Sequence, residues 1–262
     1  MGHVRLGILP STRPWRAVVE LLADGADVGQ VAEATWQAAD KAFECIQKDP
    51  GFAEAAALLT QLAVSAKKPD PSAHLAKHGF SLSERSSIAE VASAIHRTLD
   101  AKTQARGSQT DFGEVAQNAL VGAITRHLEN GLGPLFTPTA ADVHGALAKL
   151  GRPSEFSGVA RTFFEGVSRS CLEYFLSKTL HSRVGAGHRF ATTAQVADFQ
   201  EAMAKHTSEA SVIVERFCGE WFSKNRFTGG GDITRQTSTR FGWYAMEKIR
   251  SEMRVRAEAD AN

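Results

Sequence analysis

Cysteine is scarce: Cys45, Cys171 and Cys218 are the only three, far apart and with no C-x-x-C spacing. That excludes a disulfide framework and a zinc knuckle, and makes a reducing cytosol the simplest compartment. Proline is sparse as well, with 8 residues falling between periodic segments. No apolar run reaches membrane-spanning length, since the best candidate, 52–66, is interrupted by Glu54, Thr60, Gln61 and Ser65. The first residues, Met1 to Leu6, lack the apolar stretch of a secretory signal and put Leu6 where myristoylation wants Ser or Thr, so no membrane attachment is expected. Charge of one sign is missing too. With 30 Lys+Arg against 29 Asp+Glu in 262 residues, the net charge is +1, which excludes dependence on a large overall field.

What is present is helical punctuation. Apolar residues recur at steps of three and four, with a capping residue before each group and Gly or Pro after it, while strand-like alternation is almost absent. The pattern predicts an all-α fold: a multi-helix bundle with long antiparallel helices in its C-terminal part. Pro14 opens a short helix through Trp15, Val18 and Leu22. Asp27 caps a second that reaches Ile46 and is ended by Asp49-Pro50-Gly51, and Phe52 to Ala63 makes a third. Ser81 with Glu84, and Asp111 with Glu114, have the spacing of capping boxes for the next two. The stretch 131–138, with two glycines and two prolines, reads as a linker between an N-terminal helical lobe (1–130) and a C-terminal bundle lobe (139–262). Ten of the 15 phenylalanines follow residue 150. A helix over 154–183 is apolar around much of its circumference and is expected to be central. A second, over 193–224, carries a seam of Val196, Phe199, Met203, His206, Ala210, Ile213, Phe217 and Trp221. After Gly229-Gly230-Gly231, Thr234 caps the last helix.

The chemistry an all-helical enzyme usually advertises is missing. There is no Glu three residues before a His for a di-iron bundle, no H-E-x-x-H, no phosphate-binding G-x-x-x-x-G-K-[ST] and no G-x-S-x-G. No metal and no cofactor are therefore expected. His74 and His78, four apart, could share a helix face, but no neighbouring carboxylate completes a metal site, so they read as surface histidines beside a helix end at Gly79. His206 reads as a core histidine; a catalytic role would need Glu209 or Glu173 beside it.

Two Gly-containing loops carry positive charge. If the last three helices pack antiparallel, Arg250, Arg254 and Arg256 should return to the loop containing Arg183, His188 and Arg189, forming one basic region for a nucleic-acid backbone or another anion. Around the second loop, Trp221, Lys224, Arg226 and Phe227 alternate aromatic and cationic groups, as a partner-docking surface would. Forty alanines, with arginine in excess of lysine, suit a GC-rich bacterial genome. The reading that results is a non-catalytic, cytoplasmic adapter or accessory subunit of a bacterial multi-protein system, binding a protein partner. Nucleic-acid binding through the basic region is the alternative, and an unfamiliar helical enzyme centred on His206 the third.

Overall fold

The computed structural model describes residues 13–39, 48–83, 86–107, 109–132, 138–228 and 232–260. Among them the chain is all-α, with ten helices and no strand. These are α1 (Arg13–Ala23), α2 (Val28–Ala38), α3 (Pro50–Ser65), α4 (Pro71–Lys77), α5 (Ile88–Ala105), α6 (Asp111–Leu132), α7 (Ala140–Lys149), α8 (Pro153–His181), α9 (Thr193–Thr228) and α10 (Arg235–Asp260).

Capping explains most of the starts. Asp27 accepts from the Gln30 amide at 3.0 Å, and Thr234 from the Thr237 amide at 3.2 Å. Three expectations are corrected. Asp49-Pro50-Gly51 begins α3, two residues before the expected Phe52: the Asp49 carboxylate accepts from the Phe52 amide and Pro50 occupies the first turn, where its missing N–H costs nothing. The capping box of α5 is Ser87 with Glu90, not Ser81 with Glu84, of which Glu84 lies outside the described residues. On α6 the hydroxyl that caps is Thr110, which accepts from Gly113, so Asp111 is already the first helical residue. Residues 40–47, including the expected continuation to Ile46, also lie outside the described set, as do 133–137 of the Gly/Pro stretch.

The central position of α8 is as expected; it lies against α9, α6, α10 and α2. A second centre was not. Every residue of α3 from Gly51 to Ser65 is buried, with α10, α6, α5, α4 and α7 packed around it. Its alanines keep it thin enough to be approached from every side. The four residues that interrupt its apolar run supply its polar ties. Thr60 shares a hydrogen bond with Ser238 at 2.7 Å, the Gln61 amide donates to the Ile233 carbonyl at 2.6 Å, the Ser65 hydroxyl donates to the Leu62 carbonyl, and Glu54 takes three cations. Buried polar groups persist where they are satisfied in this way.

Close approach fixes the crossings. Gly51 and Gly113 meet backbone to backbone, so that a Cβ at Gly51 would fall 2.5 Å from the Gly113 Cα. Gly242 lets α10 sit on the fully buried Phe52 ring, which is itself 5.3 Å from Phe112 and 6.2 Å from Phe163 between centroids. Side chains from both sides of 131–138, from Trp15 to Met253, belong to one contiguous buried cluster. Along α9 the buried face is Val196, Phe199, Met203, Ala210, Val214, Cys218 and Phe222. Steps of four carry the seam from Ala210 to Val214, Cys218 and Phe222, which leaves Ile213 45% exposed and Phe217 and Trp221 half-buried. Among the described residues no helix is long and apolar enough to cross a membrane.

Candidate functional site

Helix α10 runs antiparallel to α9. Trp221 stacks on Phe241 at 3.9 Å, Lys248 lies over the Phe217 ring at 5.2 Å, and Arg256 pairs with Glu209 at 3.3 Å. Because Glu209 is 16 residues from Thr193, the 1.5 Å rise of a helix puts Arg256 about 24 Å along the bundle from the turn that joins α8 to α9. Arg250, Arg254 and Arg256 therefore do not join Arg183, His188 and Arg189, and the single basic region expected from the sequence is two separate groups. The last helix starts beyond Gly231 and has too few residues to run the whole length of α9.

Several of those arginines also have other occupations. The turn after α8 is pinned by backbone bonds between Gly185 and Phe190 and between Phe190 and Arg183. It aims Arg189 back at α1, where the guanidinium donates to the Leu22 and Ala26 carbonyls at 3.2 and 2.6 Å and lies against the Phe190 and Phe199 rings. Arg189 thus closes the carboxyl end of α1, whose orphan carbonyls need a donor. Arg256 divides its charge between Glu209 and Glu252, and Arg250 lies 3.8 Å from Glu247. Arg254 and His188 are exposed and Arg183 is half-buried.

The expected docking loop is helix. Because α9 continues to Thr228, Trp221 turns inward onto Phe241, and Arg226 donates to the Gly151 carbonyl at 2.9 Å while its guanidinium lies over Phe222. Lys224 is exposed; the Phe227 side chain lies outside the described set. His206 is half-buried, and the carboxylates a catalytic role would recruit are engaged elsewhere, Glu209 by Arg256 and Glu173 by Arg169. The rings of His74 and His78 are 5.0 Å apart, with His74 Nε2 on the Gln61 side-chain Oε1 at 2.9 Å. Burial, then the charge of Lys68, holds His74 below the ordinary imidazole range; burial, then His74 and Lys102, does the same for His78. Among the described residues no three His, Cys, Asp or Glu side chains are grouped to hold a metal. Burial also pushes the Cys171 and Cys218 thiols well up, which keeps both protonated and poor nucleophiles.

Sequence periodicity did not reveal the outer face of the α9–α10 pair. Val212 and Ile213 on α9, and Tyr244 and Val255 on α10, are between 45% and 54% exposed. Ile213 falls between the Phe217–Lys248 and Glu209–Arg256 levels, on the side of α9 that meets α10, whereas Val212, about 100° further round the helix, faces α8. Beside Val212, α8 and α9 flank an open groove of about 810 Å³ lined by Pro153, Ser157, Arg216, Gly219 and Lys224 among others. A polar cleft of about 550 Å³ lies between α6 and α8, with Arg126, His127, Glu155, Arg161 and Glu165 on its walls. Compared with known proteins, the chain matches no family model, no curated protein and no solved structure.

Proposed function

We propose that the protein is a non-catalytic helical adapter or accessory subunit that docks a protein partner on the outer face of α9 and α10. The observation that carries this reading is the outward turn of Ile213, Tyr244 and Val255 on two helices whose opposite faces already seal the core. Large apolar side chains grouped on a rigid surface gain free energy by leaving water, and the charged groups between them, Lys248, Glu209 and Arg256, supply a polar surround. Nucleic-acid binding through the arginines of the C-terminal half has less support. Its two groups are separated along the bundle, and Arg189 and Arg256 are tied to carbonyls and carboxylates. The His206 reading has less again, because its carboxylates are paired with arginines.

The test is affinity purification from the native host with the wild type and with an Ile213→Glu/Tyr244→Glu double variant, both checked for unchanged helicity. Both positions are exposed, so the variant should fold. A partner retained by the wild type and lost by the variant is the expected result. A co-purifying set identical for both proteins refutes the assignment of this face, and concentration-dependent dimerisation abolished by the variant would make the partner a second copy.

A further inference from the structure

Glu54 sits on α3 with its side chain 3% exposed, and three cations converge on it from two other helices. Its Oε1 accepts from the Arg235 Nε at 2.6 Å and pairs with the Arg106 Nη2 at 2.7 Å, while Lys102 Nζ lies 3.2 Å from Oε2. One cation would neutralise a buried carboxylate, so here two positive charges are left over. The two guanidinium nitrogens on Oε1 are no more than 5.3 Å apart, since they lie 2.6 and 2.7 Å from the same oxygen. Each cation lies closer to the carboxylate than to its neighbour, so attraction holds the group together, but the cluster keeps a net charge of +2.

The cluster is arranged as a base with an open front. Glu54 is the inner member, whereas Arg106 and Arg235 are 45% and 41% exposed. A guanidinium has five N–H donors; Arg235 spends its Nε–H on Glu54, and Arg106 meets the same oxygen as an ion pair. Arg235 is the first residue of α10, a 26-residue helix with no acidic residue in its first turn, where the helix dipole disfavours a cation and favours an anion. Lys102 passes over Gly79 at the end of α4, next to Lys77 and His78. Lys68 lies 2.6 Å from Asp232, just before α10. Lys68 is neutralised by Asp232, so the surplus charge rests on Lys102, Arg106 and Arg235 around Glu54, on a chain whose overall charge is only +1.

We propose that Arg106 and Arg235, held in place by Glu54 and flanked by Lys102, bind the phosphate group of a small phosphorylated ligand. Arginine forks match the paired oxygens of a phosphate, and a dianion would cancel the two surplus charges. The compactness of the cluster favours a single phosphate over a polymer, whose successive phosphates need cations strung along a surface.

The experiment titrates the full chain with inorganic phosphate and with pyrophosphate by calorimetry, ionic strength being held constant with chloride. Saturable binding is expected, and Arg106→Gln and Arg235→Gln should each weaken it about tenfold or more. Arginine side-chain Nε–H resonances of the wild type, followed by NMR in the same titration, should shift selectively at Arg106 and Arg235, which tests the site without any variant. Absence of saturation with both anions, binding unchanged in both variants, or shifts confined to other arginines overturns the proposal. So does tight, salt-steep binding of duplex DNA or single-stranded RNA by a protein that ignores phosphate and pyrophosphate.

Discussion

Replacing Glu54 with Gln keeps the shape of the side chain and one acceptor oxygen but removes the charge that three cations surround. Burial by itself would raise the Glu54 pKa; the charges of Lys102 and Arg235 and their hydrogen bonds outweigh it and hold the carboxyl below its ordinary range. Breaking a buried pair costs about 3–5 kcal/mol when the stranded partner is buried too. Here the stranded cations are 26–45% exposed and can recover water, so the discounted cost is about 2–3 kcal/mol. In a chain of this size that corresponds to a drop in Tm of roughly 5–10 °C. The dependence on pH has a definite sign. A depressed folded-state pKa contributes stability that is present above the unfolded carboxyl value and is lost as pH falls through the folded one. Melting curves of the wild type and E54Q by circular dichroism should therefore be well separated at pH 7 and converge in acid, below the ordinary glutamate range. A variant within about 0.5 kcal/mol of the wild type at pH 7 would show that the cluster does not stabilise the fold, as expected of a surface substitution. A gap that persists undiminished in acid would mean that charge is not its cause.

Three further outcomes follow from the packing. Gly51→Ala forces a Cβ against the Gly113 backbone and should cost about 3 kcal/mol in urea unfolding, whereas Gly122→Ala, with nothing within 4 Å, should gain about 0.5–1 kcal/mol in the same assay. Equal effects would place the crossing elsewhere. Arg189→Met should lower stability by about 2 kcal/mol through the lost carbonyl contacts at the end of α1. Fluorescence anisotropy with duplex DNA at two salt concentrations should read the same for it and the wild type; a salt-dependent loss of affinity would restore the basic-region hypothesis. Asp49 is held above its ordinary pKa by burial, against the hydrogen bonds from Phe52, Thr110 and Gly51. Its ionisation therefore costs the folded state as pH rises through the folded-state pKa, and Asp49→Asn should gain on the wild type between acid and pH 7; a pH-independent difference would contradict this.

The sequence was most informative where local rules decide. The caps at Asp27 and Thr234 and the helix end at Gly79 could be read directly, because each depends on a few consecutive residues. Asp49-Pro50 was read only as a terminator, although an Asp-Pro pair suits the start of a helix equally well; the Phe52 amide at 2.8 Å shows that it starts α3. The candidate sites fared worse. Arg183 and Arg256 looked like neighbours only while α10 was assumed to match α9 in length and register. The residues of the Glu54 cluster did leave a trace, in a lone carboxylate within an apolar run and in Lys102 and Arg106 four apart at a helix end. Nothing in the chain, though, links position 54 to position 235.

Alone, the amino-acid order determined that this protein is helical, where several of its helices begin, and that familiar catalytic motifs are absent, since caps, periodicity and motif spacings are local properties. The tertiary structure decided which helix would be enclosed. Five neighbours surround α3, and Glu54, Thr60 and Gln61 become its polar ties because partners as far off as Ile233, Arg235 and Ser238 arrive in register. The same packing left Ile213 and Tyr244 facing water and gathered Lys102, Arg106 and Arg235 at one point. Burial and charge convergence depend on residues distant in the chain, and no window of sequence contains them.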